Sequence, residues 1–482
     1  MEKTIAKNAI FNMAYKALSV IFPLIIVSYA SRKLGADGIG EVSSAQNLVT
    51  YFTMFAALGI PSYGVRAIAQ TKKNKDKCYK TFTELFVINL CSTIICTLLY
   101  FILLKNIDLK IRELNYIFSI LIILNVFNVE WVYEGFEKYK YIAIRSFVVK
   151  ALSLIALFVF VKDETDLLAY ALIVCFGTAG NYILNLFTLQ RYVRFKLVSL
   201  ELTKHLKAIV TFLGAVIAIE LYSLLDITML TYASTAENVG YYSNAAKIVK
   251  MLANTITAIG AVMLPRLSLC FLEKKYSDIQ QIIRNFLNAT LTLAIPAMLG
   301  TCMVSREIVF LLFGAEFAPS IATISILSPL IVLMPLSGGI FGQLLLTSEN
   351  EKKYLICVGG GAIINYILNI VFIPCWAQNG AALASVITEC IVNVMMITFS
   401  ARTVRINVDI SEIVKIVGSA VIMMLALGGI KIICASVPIL LSLGIQVIIA
   451  IAIYILCLLI FKQKFISEII VNIKEKIGVK NF

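Results

Sequence analysis

Blocks of about twenty consecutive apolar residues recur from one end of the chain to the other, and nothing else in the sequence limits the fold as strongly. At 1.5 Å per helical residue such a block spans a hydrocarbon core about 30 Å thick. The 482 residues are 60% hydrophobic and only 15% charged, too apolar to cover the surface of a water-soluble protein. A transmembrane β-barrel requires short alternating strands instead. The expected fold is therefore an all-α polytopic membrane protein. Its transmembrane helices number about 14, at about 9–31, 41–63, 81–104, 115–133, 146–161, 167–190, 208–230, 240–264, 286–304, 320–345, 354–374, 380–400, 413–434 and 439–461.

The net charge of +14 reports topology. With the N-terminus inside, most of the 42 Lys and Arg fall in cytoplasmic segments, and "RAIAQTKKNKDKCYK" (66–80) alone holds six. This asymmetry follows the positive-inside rule, places both termini in the cytoplasm and removes the reason to invoke nucleic acid. Eleven scattered cysteines suggest neither a disulfide framework nor a zinc site. The single histidine, His205, is expected to be a solvated loop residue. Outer loops are short, the longest being "SREIVFLLFGAEFAPS" (305–320), so no domain outside the membrane is large enough to fold alone.

The chain also repeats itself. "ADGIGEVSSAQNLV" (36–49) aligns without gaps on "AENVGYYSNAAKIV" (236–249), with identities at Ala36/Ala236, Gly40/Gly240, Ser43/Ser243, Ala45/Ala245 and Val49/Val249. The offset superposes helices 1–6 on helices 7–12 in the same orientation, as parallel repeats. The expected divisions are 1–207 and 208–407 for two six-helix bundles, 408–462 for helices 13 and 14, and 463–482 for a cytoplasmic amphipathic tail. A second match, "NYILN" at 181–185 and 365–369, has the wrong offset and is read as coincidence.

Charged residues inside the membrane carry the functional signal. Ser243, Lys247, Lys250, Asn254 and Thr257 share one helix face, as do Asn8, Asn12, Lys16 and Ser19, and Ser146, Lys150 and Ser153. A lysine at the centre of a lipid-facing helix costs roughly 2.5–3.5 kcal/mol, so such stripes are expected to face a watery cavity. Acids are fewer: Glu130, Glu220, Asp226 and Glu389. A cationic lining suits an anionic cargo such as a phosphate or diphosphate. Pro23 and Pro296 are candidate bending points.

Several stretches resemble the oligosaccharide (Wzx-type) flippase branch of the MOP superfamily, which also contains MATE exporters and lipid II flippases. They are "RKLGADGIGEVSSAQN" (32–47), "GIPSYGVRAIAQ" (59–70), "EGFEKYKYIAIRSFVVK" (134–150), "LLDITMLTYASTAENVGYYSNAAKI" (224–248), "LLFGAEFAPS" (311–320) and "NGAALASVITE" (379–389). The resemblance implies two six-helix bundles around a central cavity, working by alternating access in a bacterial cytoplasmic membrane. It implies as cargo an oligosaccharide repeat unit on undecaprenyl diphosphate, moved from the inner to the outer leaflet for surface polysaccharide assembly.

On that reading Lys16, Lys150, Lys247 and Lys250 hold the diphosphate, and Arg66, Arg145 and Arg266 gather the headgroup at cytoplasmic helix ends. Asp226, Glu220 and Glu389 bind a coupling proton or Na+; no other cofactor is expected. Membrane lipid is a partner, and a polysaccharide polymerase and glycosyltransferases are candidate partners. A lipid II flippase or a MATE-like exporter of drugs or metabolites is the alternative of the same fold. An enzyme such as a polymerase or ligase of lipid-linked glycans is disfavoured, because neither a sizeable outer loop nor a catalytic cluster of acids, arginines or histidines occurs, and the lack of a G-x-x-x-x-G-K-[ST] loop argues against direct ATP use.

Overall fold

The computed structural model describes residues 2–467 apart from 107–108, 197–199, 262, 349, 405 and 407–408. Side chains of 2–21, 109–111, 215, 218–219, 221–223, 259, 261, 264–265 and 435 also lie outside the described residues. The described backbone is helical, with no strand. It forms two compact units, Met1–Gly240 and Tyr241–Phe482.

The first unit contains α1 (Glu2–Ala57), α2 (Ile60–Thr71), α3 (Lys75–Leu104), α4 (Leu109–Ile123), α5 (Glu130–Gly135), α6 (Tyr139–Phe160), α7 (Leu167–Leu189), α8 (Thr203–Ala233) and the start of α9 (Ala236–Ala261). The second continues with α9 and holds α10 (Met263–Leu272), α11 (Tyr276–Met303), α12 (Ser305–Leu312), α13 (Ser320–Leu327), α14 (Leu330–Met334), α15 (Gly342–Thr347), α16 (Glu351–Ala401), α17 (Ile410–Ile433) and α18 (Ile439–Ile460).

Ten of the described segments are long and apolar enough to cross a membrane. Two of them, Phe22–Thr71 and Glu351–Ala401, run to about fifty residues, length enough for two passes each. The first is broken at Gly35 (φ 67°, ψ −178°), backbone that glycine adopts without a steric penalty, and the second at Ala377 (φ 45°). Pro23 and Pro296 lie inside α1 and α11 at no comparable break.

Within the first unit, buried Ile60, Ile68, Phe82, Trp131, Tyr133 and Ile142 pack α2, α3, α5 and α6 together. α4 ends in a tight turn at Leu124–Phe127, followed by the non-helical Asn128 and Val129. Asn89 of α3 attends this interruption: its Oδ1 accepts from Asn125 Nδ2 at 3.2 Å. In the second unit α17 and α18 lie on α11 through Leu291, Ile416, Met423 and Tyr454. The Tyr454 hydroxyl donates to Thr292 O at 2.8 Å, and Lys431 pairs with Glu307 at 3.3 Å. Helices 13 and 14 of the sequence analysis are thus bound to the second unit by both apolar and polar contacts.

The repeated motif meets its own echo. A Cβ placed on Gly40 would lie 1.7 Å from Ala236 O, and one on Gly240 would lie 2.2 Å from Ala36 O. The approach is reciprocal, backbone against backbone, with equivalent residues of the two copies exchanging roles. Close backbone packing of this kind is what small residues permit in membrane helices. Gly40→Ala and Gly240→Ala are therefore each expected to cost about 1–3 kcal/mol through overpacking. Thermal unfolding in detergent checks this, with Gly38→Ala as the control, since its Cβ would meet neighbours only at 3.2 Å.

Candidate functional site

In the first unit the cationic stretch 134–150 enters α6, and the interruption before α5 brings Glu130 towards it. Arg145 is buried, with 4% of its surface exposed. Its guanidinium forms an ion pair with Glu130 Oε2, donates from Nε to Asn181 Oδ1 at 3.1 Å and donates from Nη1 to Asn185 Oδ1. The ring of Tyr141 lies 5.7 Å from the same group. Half-buried Lys150, one and a half turns on, is within electrostatic range of Glu130. The structure thus brings Arg145 and Lys150 to one carboxylate. Arg145 is tied into the protein at this end of α6, whereas Arg66 is exposed on α2.

Asp226 of α8 is fully buried. Around it, Asn47 donates from Nδ2 to Leu224 O at 3.1 Å and to Thr228 Oγ1 at 2.8 Å. The Tyr51 hydroxyl lies 3.2 Å from Thr228 Oγ1 and within electrostatic range of Asp226. One turn further, Thr231 Oγ1 bonds Ser44 Oγ at 2.8 Å. The second half of α1 therefore packs on α8 through a ladder of small polar groups. Glu220, on the same helix, is exposed and does not share this environment.

The second copy of the motif treats the equivalent positions differently. Asn47 is buried and Thr50 turns its hydroxyl back onto Gln46 O at 2.7 Å. Lys247 is exposed and Lys250 half-buried, although Asn244, Ala245, Ala246, Ile248 and Val249 around them are buried. Asn254, two turns on, is exposed, so the polar face predicted from spacing is open along much of its length. Ser243, at its start, is buried. Lys16 lies on α1, but its side chain is outside the described residues.

Elsewhere in the second unit, Arg266 is exposed on α10. Glu389 is buried on α16 and accepts a hydrogen bond from Ser337 Oγ. Ser337 belongs to a widened, π-helical turn at Pro335–Phe341. One turn after Glu389, Asn393 donates from Nδ2 to Leu333 O at 3.1 Å, tying α16 to α14. Among the described residues, no group of His, Cys, Asp and Glu has a metal-binding arrangement.

The expectation of a solvated histidine is overturned. His205 is 4% exposed and sits between Tyr63 and the fully buried Glu84. Polarity around 204–207 suggested a loop, but the first turn of α8 folds back between α2 and α3. The signal that could have revealed it was Glu84, an acid among apolar residues early in helix 3. Asn181 and Asn185, the two asparagines of "NYILN", bond Arg145 from α7, a pairing that hydropathy and helical spacing do not mark.

Residues 5–271 match the family described as "Polysaccharide biosynthesis protein". A putative O-antigen transporter of Escherichia coli K12 is 23% identical over 422 residues, covering 82% of this chain and 96% of that protein. A probable low-salt glycan biosynthesis flippase of Haloferax volcanii is 25% identical over 210 residues, 44% of each chain. Among solved structures, the lipid II flippase MurJ in an inward closed conformation has a TM-score of 0.77 at 15% identity, over 96% of this chain and 100% of that one. An inward-facing multidrug resistance MATE family transporter of the MOP superfamily has a TM-score of 0.65 at 15% identity, over 82% and 98%.

The two arginines separate structure from surface. Arg145→Ala removes the buried guanidinium that pairs with Glu130 and bonds Asn181 and Asn185, and is expected to cost on the order of 3 kcal/mol. Arg66→Ala, at an exposed position, should stay within about 0.5 kcal/mol. Melting temperatures of the two variants in the same detergent test this; equal melting points would refute the assignment.

Proposed function

The chain belongs to the polysaccharide biosynthesis protein family, and from that premise we propose that it is a flippase for a lipid-linked oligosaccharide. The cargo is an oligosaccharide repeat unit on undecaprenyl diphosphate, moved from the inner to the outer leaflet of a bacterial cytoplasmic membrane to supply surface polysaccharide assembly. Fourteen spans with both termini in the cytoplasm are the proposed topology. A polymerase and glycosyltransferases are the proposed functional neighbours.

One observation carries the reading: the two copies of the repeat diverge where the second places lysines on an open helix face. A diphosphate offers several strong acceptor oxygens, and charge-assisted bonds to ammonium groups are about twice as strong as neutral ones. Lys247 and Lys250 are the proposed diphosphate ligands of the second unit, and Lys150 and Lys16 those of the first. Exposed Arg66 and Arg266 gather the headgroup. Arg145, held by Glu130, Asn181 and Asn185, positions the α6 end at which Lys150 acts. The polyprenyl chain, purely apolar, stays in the lipid.

Ion-coupled alternating access is the proposed mechanism, and the buried carboxylates are its candidates. Asp226 and Glu389 both face hydroxyl or phenol groups that accommodate either protonation state. Exposed Glu220 would serve as an access residue on α8. Nothing in this scheme requires covalent chemistry, so the proposal is a transporter and not an enzyme.

Replacing Lys247 and Lys250 together by Ala removes two charge-assisted contacts of about 1.5–3 kcal/mol each. Flipping of lipid-diphosphate-linked oligosaccharide in reconstituted vesicles is expected to fall roughly a hundredfold or more, with membrane insertion retained. Wild-type flipping by this double variant would sink the cationic-face mechanism.

A further inference from the structure

The two halves of the chain differ in charge where the repeat would make them alike. Connections 72–80, 137–140 and 190–207 of the first unit carry 12 Lys and Arg against three Asp and Glu. Their counterparts in the second unit, 272–280, 349–353 and 402–415, carry seven against six. Both sets lie at the cytoplasmic surface in the proposed topology. The positive-inside rule calls for a cationic excess on that side but gives no reason for one half to hold nearly all of it.

Contacts within the first unit bind its three connections into one surface. Lys72 pairs with Glu137 at 2.7 Å, joining the α2–α3 turn to the α5–α6 turn. Lys196 pairs with Asp76 at 2.7 Å and Lys80 with Glu201 at 2.7 Å, joining the start of α3 to the α7–α8 linker. Buried Glu84 fastens the same linker, accepting the Glu201 N–H at 2.8 Å and pairing with Lys204 at 2.9 Å. The Phe195 ring packs 5.0 Å from that of Phe86, and Lys138 Nζ lies 5.7 Å from the centre of the Tyr192 ring. All three acids of the connections are thereby taken by lysines. Lys73, Lys75, Lys77, Arg191, Arg194 and Lys207 are exposed and form no ion pair with a described residue.

What borders these cations identifies the partner. One turn into α7 from Arg191 and one turn along α8 from Lys207, Phe187 and Val210 are 78% and 62% exposed; Phe195, beside Arg194, is 55% exposed. Cations with exposed apolar side chains one turn deeper match a headgroup–acyl boundary, where phosphate and hydrocarbon are offered by one molecule. A soluble anion would make no use of the apolar side chains. We propose that this face of the first unit is a docking surface for anionic phospholipid of the inner leaflet. Its unpaired cations hold headgroup phosphates, and its paired ones keep the three connections at fixed spacing. Clustered Lys and Arg attract anionic headgroups within a Debye length of about 8–10 Å. The inference rests on the proposed topology and is independent of the cargo.

The test compares spin-labelled phosphatidylglycerol with spin-labelled phosphatidylcholine on the full chain in phosphatidylcholine vesicles. Wild-type protein should hold the anionic lipid roughly fivefold more strongly, the preference fading as salt rises. Lys73, Lys75, Lys77, Arg191, Arg194 and Lys207 all replaced by Gln should bring the two lipids to near equality. Lys73→Gln, Lys75→Gln and Lys77→Gln alone should give an intermediate loss, which keeps the test open should the six-site variant fail to fold. Replacing Lys274, Lys275, Lys352 and Lys353 of the second unit by Gln should leave the preference intact. No preference in the wild type, or an equal loss in the second-unit control, would overturn the proposal. So would a six-site variant that loses undecaprenyl diphosphate binding while keeping its preference for phosphatidylglycerol, since the surface would then gather cargo. Flipping by the same variants reports separately on the transport reading.

Discussion

A polar group inside the hydrocarbon layer has only the protein itself to bond, and the described structure is arranged around that scarcity. Hydroxyls in the helices turn back onto carbonyls of the preceding turn, as Thr50 does to Gln46 and Ser153 to Val149. Where a helix is interrupted, at 124–129, the buried amides of Asn89 and Asn125 bond one another. Arg145 is held by a carboxylate and two amides from neighbouring elements. The bonds of Asn89, Asn125 and Arg145 also fix one helix against another, so groups that are costly to bury help to specify the packing. Dispersion and apolar contact supply the rest, because lipid tails offer no hydrophobic driving force between helices.

The repeat shows how one backbone solution serves two chemistries. Its glycines perform the same task in both copies, each admitting the other's carbonyl at a distance that no Cβ tolerates. Side chains beyond the turn are released from that constraint. In the first copy Asn47 and Thr50 are absorbed into packing and internal bonds; in the second, lysines stand at an open face. Sterics keep the close backbone approach alike in the two copies, and the side chains diverge where that constraint is slack.

That distinction also explains what the sequence made legible. Membrane character and the helical class were readable because hydropathy acts locally and needs no knowledge of partners. The polar face from Lys247 to Asn254 was readable for the same reason, being a matter of helical period. His205 was not: its burial depends on Glu84, some 120 positions earlier, and local polarity pointed the other way. Arg145 stood out as a charge, yet its partners Asn181 and Asn185 lie on a different helix and gave no sign of the connection. The sharp breaks fell at Gly35 and Ala377 instead of at the prolines singled out, since a helix tolerates a proline more readily than a positive φ.

Charge placement then separates cations that build from cations that bind. Recruiting Arg145 to an anionic ligand means withdrawing it from Glu130 and leaving a partly buried carboxylate behind, a loss of several kcal/mol that the ligand must first replace. The Lys247 side chain is exposed, so in the proposed scheme a ligand reaches it without displacing a paired carboxylate. For a protein that must release its cargo as well as take it up, the second arrangement is the workable one. In the proposed flippase, tight internal pairs would hold the frame at fixed geometry, and accessible ammonium groups would supply an attraction strong enough to select a diphosphate and weak enough to let it go.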